Sequence, residues 1–341
     1  MTVGYGVIGL GFIGARHVLA VQSARAAGVP CRLVAVGDRS ADRLCGRVSP
    51  EGSPDAAPGD ALFDPREVRG YVDPRQLIDD PRVDALSICT HTDTHVDLAV
   101  AALRAGKHVL VEKPVALSSA EVRRLAAAAH EAGRLCMPAM CMRFWPGWSW
   151  LKDRIIDGSL GAVQSATFQR LGSPPAWGTQ FYRDLSRSGG SLFDLHIHDV
   201  DFLRWCFGPP REVTSTGTTM HVSTIYRYEN GPAHVLAEGG QDYAPGYGFT
   251  MRYAVAFRDA TADFDLSRSH PLELSRDGRR EAVEIPALSA YDAEVRHFIG
   301  AVAAGTGNGE LAATIDEAAA VTEILEAERR SLETGRPIQL R

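Results

Sequence analysis

Three glycines near the start of the chain restrict its fold more than any other feature. Gly9-Leu10-Gly11-Phe12-Ile13-Gly14 follows the apolar run Val3-Gly4-Tyr5-Gly6-Val7-Ile8 and opens a periodic stretch that reads as a helix from about Phe12 to Ala27. A strand must therefore turn sharply into a helix. Gly9 permits the tight turn, Gly11 omits a side chain where a ligand must approach the backbone, and Gly14 lets helix and strand pack closely. The helix N-terminus then presents unsatisfied N–H groups to whatever approaches, which suits a pyrophosphate. Such glycines alone are weak evidence, but Asp38 ends the next strand-like run, where a carboxylate can accept both ribose hydroxyls of an adenosine. The pattern predicts a dinucleotide site formed by Gly9, Gly11, Phe12, Ile13, Gly14 and Asp38. NAD is favoured, because a 2′-phosphate would meet a like charge at Asp38. Arg39 follows at once and could stack on adenine or pair with that phosphate, which keeps NADP open.

The same alternation continues through the first third. Strands are read at residues 32–36, 85–89, 108–111 and 135–137, with helical patterns at about 94–105 and 118–132. Strands alternating with helices imply right-handed crossovers and a parallel, doubly wound sheet, hence an α/β fold. A stretch from about Val48 to Gly70, rich in Pro, Gly, Asp and Ser, lacks periodicity and reads as a solvent loop. After about residue 140 the pattern becomes a helix (about 146–157) and longer alternating runs at about 162–168, 211–229, 233–241, 249–257 and 261–266. These read as one large, mostly antiparallel open sheet, followed by helices at about 290–303 and 314–333. With 341 residues and 45% hydrophobic content, two domains are expected. They divide at a dinucleotide-binding domain over 1–140 and a substrate-binding and oligomerisation domain over 141–341.

Composition narrows the functional classes. The formal net charge of -6 is modest and no Lys/Arg cluster could track a phosphate backbone, so nucleic acid is not an expected partner. No apolar run approaches the roughly 18 residues of a membrane span, and the chain enters a strand pattern at once, so a cytoplasmic location is expected. Cys31, Cys45, Cys89, Cys136, Cys141 and Cys206 lack Cys-x-x-Cys pairing and read as buried thiols rather than disulfides or zinc ligands.

Two segments carry candidate chemistry. Glu112-Lys113-Pro114 follows an apolar strand at the carboxyl end, where open α/β sheets bind ligands. Lys113 is one of three lysines, with Lys107 and Lys152, in an arginine-rich chain. An amine there could stabilise the alkoxide-like oxygen that forms as hydride leaves an alcohol carbon. Further on, a Gly-Gly-led segment places Asp194, His198 and Asp201 at i, i+4 and i+7, one face of a single helix. His198 can accept a hydroxyl proton near neutral pH and Asp194 can hold its ring, although an ordinary polar helix face has the same spacing. His196 and His198 suggest a metal pair, but i and i+2 point apart on a helix and no third ligand stands at convincing spacing, so no metal is expected.

Taken in order, GLGFIG, CTHTDTH at Cys89 to His95, AGKHVLVEKP ending at Pro114, and DLHIHDVDFLRW from Asp194 to Trp205 give a chain that resembles the Gfo/Idh/MocA oxidoreductases over nearly its whole length. The resemblance implies a Rossmann domain followed by an α+β domain, and a hydride moved between NAD or NADP and a hydroxyl-bearing carbon of a sugar, aminosugar or cyclitol. It assigns Lys113, Asp194 and His198 as catalytic, with Thr90 and His95 beside the cofactor and Glu112 near the nicotinamide ribose. Arg170, Trp177, Tyr182, Arg183 and Tyr243 are candidate substrate contacts, each with packing or surface roles as the alternative. Two other readings stay open: a glycosidase that uses transient oxidation by bound NAD, and a nucleotide-binding sensor without catalysis. The open sheet face predicts a homodimer or homotetramer.

Overall fold

A computed structural model describes residues 2–53 and 55–340 of the chain. Its packing forms two compact units: Met1–Cys141 with Leu288–Ala319, and Met142–Ala287 with Ala320–Arg341. The sequence division at 140 follows chain position, whereas packing assigns a late segment to the first unit.

The first unit begins with β1 (Val3–Ile8), α1 (Phe12–Ala26), β2 (Cys31–Gly37), β3 (Arg69–Tyr71), α2 (Pro74–Ile78) and β4 (Ala85–Ile88). It continues through α3 (His95–Arg104), β5 (His108–Glu112), α4 (Ser119–Ala132) and β6 (Cys136–Ala139). The six strands are all parallel, in the order β3-β2-β1-β4-β5-β6. Every residue of β1 and β4 is buried, which explains why they lack polar side chains apart from Ser87 and the Tyr5 hydroxyl, which meet each other at 2.8 Å: a parallel sheet is covered on both faces. Strand order reverses between β1 and β4, so the loops after these strands flank the switch point where such sheets take ligands.

The stretch between β2 and β3 corrects the expectation of a plain solvent loop. Its backbone closes on itself, with Val48 N donating to Asp60 O at 2.9 Å and bridges joining Arg47 to Ala61 and Ser53 to Ala56. Val48, Leu62, Phe63 and Val68 are buried, and Gln22 of α1 donates to Leu62 O at 2.7 Å. These buried side chains at irregular spacing anchor the segment without giving a period, while residues 57–61 and 65–67 stay exposed.

The second unit contains α5 (Pro146–Asp157), β7 (Val163–Leu171), α6 (Thr179–Arg183), α7 (Leu185–Ser188), α8 (Gly190–Asp194) and α9 (Ile197–Phe207). Strands β8 (Glu212–Gly217), β9 (His221–Arg227), β10 (His234–Gly240), β11 (Thr250–Phe257), β12 (Thr261–Asp265), β13 (Leu272–Arg276) and β14 (Arg279–Ala282) follow. With the late β15 (Ile338–Gln339) they form one nine-stranded sheet, β14-β13-β12-β11-β7-β10-β9-β8-β15. All pairings are antiparallel except β7 with β10, so the mostly antiparallel expectation holds. The run read at 211–229 is a hairpin, because Gly217 takes a φ of 107 and the chain reverses there.

Alternate residues of β11 are buried on one face, where Trp148 of α5 meets Phe264 and Tyr253 edge-on at 4.7 and 5.0 Å between centroids. Burial of each such ring stabilises by about 2–3 kcal/mol. Two buried ion pairs share this unit: Arg143 with Asp201 (2.6 and 3.0 Å) and Arg170 with Asp199 (2.9 and 3.0 Å).

The chain then returns to the first unit as α10 (Ala290–Ala304). Phe298 meets Tyr5 of β1 edge-on at 6.4 Å, and Asp292 accepts from Arg16 of α1 at 2.6 Å. The unit boundary falls within α11 (Ile315–Thr334). Among the described residues no helix is long and apolar enough to cross a membrane.

Candidate active site

The glycine turn divides its labour as its chemistry demands. Gly9 has a φ of 91, and a Cβ there would lie 2.5 Å from Cys89 O. A Cβ on Gly14 would fall 1.7 Å from Gly9 O, so the first and third glycines answer to the protein's own packing. On Gly11 a Cβ would meet only Arg43 Nη1, at 3.7 Å, so this position opens outward. Gly11 is also the N-cap of α1 and makes no side-chain cap, so the first turn, carrying half-buried Phe12 and Ile13, offers its N–H groups to an anion.

Asp38 is held at the end of β2 by backbone donors: Leu10 N to Oδ2 at 2.8 Å and Ser40 N to Oδ1 at 2.9 Å. Its carboxylate is thereby fixed beside the glycine turn. Arg39 is exposed. The guanidinium beside Asp38 is instead that of Arg43, with Nη1 3.6 Å from Asp38 Oδ2 and Nη2 donating to Glu51 at 2.6 Å. Sequence reasoning missed both Arg43 and Glu51. Arg43 carries a signal, a cation one short turn beyond Asp38, whereas Glu51 lies in the aperiodic stretch and has none.

The loops after β4 and β5 are tied together by His95. Its ring nitrogens lie 2.9 Å from Thr90 O and 3.0 Å from Pro114 O, and burial pushes its pKa below the ordinary imidazole value against the pull of those carbonyls. Thr90 is half-buried, and Thr94 donates to its hydroxyl at 2.7 Å. Glu112, the last residue of β5, is buried, with Oε1 3.0 Å from His17 Nε2 and Oε2 accepting from Lys113 N at 3.0 Å. His17 Nδ1 is in turn 2.9 Å from Ser87 Oγ, which is 2.8 Å from Tyr5 Oη. Glu112, expected near the nicotinamide ribose, has both oxygens engaged with groups of the protein and fixes the backbone that carries Lys113. Lys113 itself is half-buried, joined to Pro114 by a cis peptide bond.

In the second unit the single helix expected across residues 194 to 201 is broken. Helix α8 ends at Asp194 and α9 starts at Ile197, with His196 N bonding five residues back to Ser191 O. His196 explains the break: its ring is fully buried, with Nε2 3.0 Å from Tyr226 Oη and 3.1 Å from Glu328 Oε2. A Cβ on Gly239 of β10 would lie 2.8 Å from His196 Cβ, so only glycine admits this histidine. Asp194 and His198 are half-buried, and Asp194 Oδ2 accepts from Gln241 Nε2 at 3.1 Å. Asp201 is buried against Arg143.

The candidate substrate contacts fare unequally. Arg170 is buried, bidentate to Asp199, and in contact with Met251 Sδ; a cation so held is a packing element, which corrects that expectation. Trp177 and Tyr182 are half-buried and Arg183 is exposed, the last two on α6. Tyr243 stacks on Tyr247 at 4.1 Å and approaches His221, which bridges Asp242 (2.8 Å) and Glu238 (2.9 Å).

Comparison with known proteins agrees with this layout. The Gfo/Idh/MocA model described as an oxidoreductase family with an NAD-binding Rossmann fold matches residues 3–140, and the GFO/IDH/MocA C-terminal domain model matches residues 148–272. The chain belongs to the Gfo/Idh/MocA oxidoreductase family. Within that family it is 29% identical to the inositol 2-dehydrogenase of Rhizobium meliloti strain 1021, over 97% of this chain and 100% of the relative. It is also 29% identical to the scyllo-inositol 2-dehydrogenase (NAD(+)) of Bacillus subtilis strain 168, over 79% of this chain and 81% of that one. A solved levoglucosan dehydrogenase, in complex with NADH and levoglucosan, shares the fold with a TM-score of 0.83 at 20% identity, covering 99% of both chains. As a Gfo/Idh/MocA oxidoreductase the chain takes NAD, and the glycine turn, Gly11's open side and Asp38 fit that cofactor.

Proposed function

We propose that this Gfo/Idh/MocA oxidoreductase moves a hydride between NAD and a secondary hydroxyl, or the matching ketone, of a cyclitol, a sugar or a sugar derivative such as an aminosugar. The glycine turn, held against an Asp38 carboxylate that its own backbone fixes at 2.8 Å, carries this assignment on the cofactor side. The relatives named for inositol oxidation, matched along most of their length, favour a polyol on the substrate side. Bound NAD supplies the hydride acceptor. Gly11 and the first turn of α1 receive the pyrophosphate, and Asp38 the adenosine ribose hydroxyls.

The chain's own residues then handle the proton. In the oxidative direction the Lys113 ammonium donates a hydrogen bond to the reacting oxygen and stabilises its alkoxide character. His198 accepts the hydroxyl proton as the hydride leaves carbon, and Asp194, itself held by Gln241, steadies the imidazolium. Reduction of the ketone runs these steps in reverse. Glu112 and His95 are positioning residues that hold the loops bearing Lys113 and Thr90. Lys113→Ala and His198→Ala are each expected to lower turnover by about 10²–10⁴ while NADH still binds in a fluorescence titration. Turnover like wild type in both variants would falsify these roles. A panel of cyclitols, sugars and aminosugars, followed by NADH absorbance, reads the substrate class.

The outer face of the nine-stranded sheet, where Thr167, Ile225, Leu236 and Ala254 alternate with buried neighbours, supports assembly as a homodimer or homotetramer. Sedimentation equilibrium should report a multiple of 36.8 kDa, and a lysine at Ala254 should lower it.

A further inference from the structure

Glu51 and Arg43 are not used by the hydride chemistry, yet they border the adenosine end of the dinucleotide site. Arg43 lies in the turn Ala41–Cys45 that follows β2. One of its terminal nitrogens is 3.6 Å from Asp38 Oδ2 and would be 3.7 Å from a Cβ on Gly11; the other donates to Glu51 Oε1 at 2.6 Å. Glu51 rides on the anchored segment between β2 and β3, held nearby by Gly52 N donating to Ser49 O at 2.8 Å and by Asp55 paired with Arg16 at 2.7 Å. Burial pushes the Glu51 carboxyl up, but Ser49, its own backbone N–H and Arg43 outweigh this and hold it below the usual range. It is therefore ionised at neutral pH, and two carboxylates share one guanidinium.

We propose that Glu51 is a cofactor-selectivity residue, which occupies Arg43 and so denies that cation to the 2′-phosphate of NADP. The inference rests on the reading of the glycine turn and Asp38 as the adenosine side of the cofactor site. A 2′-phosphate brings about 1.5–2 negative charges, by analogy with other phosphate monoesters. It would meet Asp38 and would also have to displace Glu51 from Arg43. The ribose hydroxyls of NAD need only Asp38, whose backbone donors are independent of Glu51. Removing the Glu51 charge should thus release Arg43 toward a phosphate and leave NAD alone.

The test measures dissociation constants of NADH and NADPH by nucleotide fluorescence for wild type, Glu51→Gln, and Glu51→Gln with Arg43→Ala. Glu51→Gln is expected to tighten NADPH about tenfold, the scale of one charge-assisted hydrogen bond. NADH should stay within about twofold, the scale of a half-exposed ion pair, and serves as the control for folding. The double variant should lose the NADPH gain. Equal changes for both nucleotides, no gain for NADPH, or a gain that survives Arg43→Ala overturns the inference while leaving the dinucleotide site intact. Wild-type protein that binds neither nucleotide overturns the site reading and this inference together.

Discussion

A methyl group separates two kinds of glycine in the turn after β1. On Gly14 it would fall 1.7 Å from Gly9 O, so Gly14→Ala must push helix from strand and is expected to lower the thermal midpoint as well as NADH affinity. On Gly11 it meets nothing closer than 3.7 Å, so Gly11→Ala should melt like wild type yet bind NADH at least about tenfold more weakly, since even a small steric mismatch at a close backbone approach removes over 1 kcal/mol. Calorimetric melting and titration of both variants checks the contrast; identical behaviour contradicts it. At this scale the sequence was informative wherever chemistry depends on residue type and immediate context. The turn at Gly9, Gly11 and Gly14 and the place of Asp38 at the end of β2 could be read because strand, turn and helix are local. Arg43 and Glu51 could not, because their meeting depends on how an aperiodic segment folds back.

Elements explain the other departures. Spacing of i, i+4, i+7 presumes an unbroken helix, and burial of His196 against Tyr226 and Glu328 breaks it between Asp194 and Ile197. Spacing likewise could not tell Asp201, which neutralises buried Arg143, from a reactive carboxylate. Asp201→Ala removes the carboxylate that accepts two bonds from that buried guanidinium, so it is expected to cost about 3–5 kcal/mol in urea unfolding. Turnover of the folded fraction should fall far less than in His198→Ala. Strands with clean alternation were legible, whereas short β3, β13, β14 and β15 were not, since each is defined by its neighbour rather than its own pattern. At the start of β9, burial lowers the His221 pKa, but Glu238 and Asp242 outweigh it and raise the imidazole above its ordinary value. Its contribution is therefore full below the unfolded value of about 6.5 and fades as pH rises through the folded one. His221→Gln should destabilise the protein at a pH of about 5.5 and have little effect at about 9; a denaturation series across pH reads this, and a loss that grows with pH would contradict it.

For the whole molecule, the return of α10 matters most. The first unit is discontinuous in sequence, completed by residues that follow the entire nine-stranded sheet except β15. Periodicity announced the helix at 290–303 but not which sheet it covers, because amphipathic patterning names a buried face without naming its partner. Phe298 is fully buried against Tyr5, so Phe298→Ala is expected to cost about 3–5 kcal/mol. Hydrogen exchange should place the loss in β1 and α1, with β7 and β11 retaining their protection; the reverse pattern would assign α10 elsewhere.

That return also sets a timetable for the nascent chain. Residues 142–287 must all be translated before Leu288–Ala319 can leave the ribosome, which at about 5–20 residues per second takes about 7–30 s. Throughout that interval the amino-terminal sheet is made but lacks one of its cover helices, and the apolar surface around Tyr5 stays open to chaperones and to neighbouring polysomes.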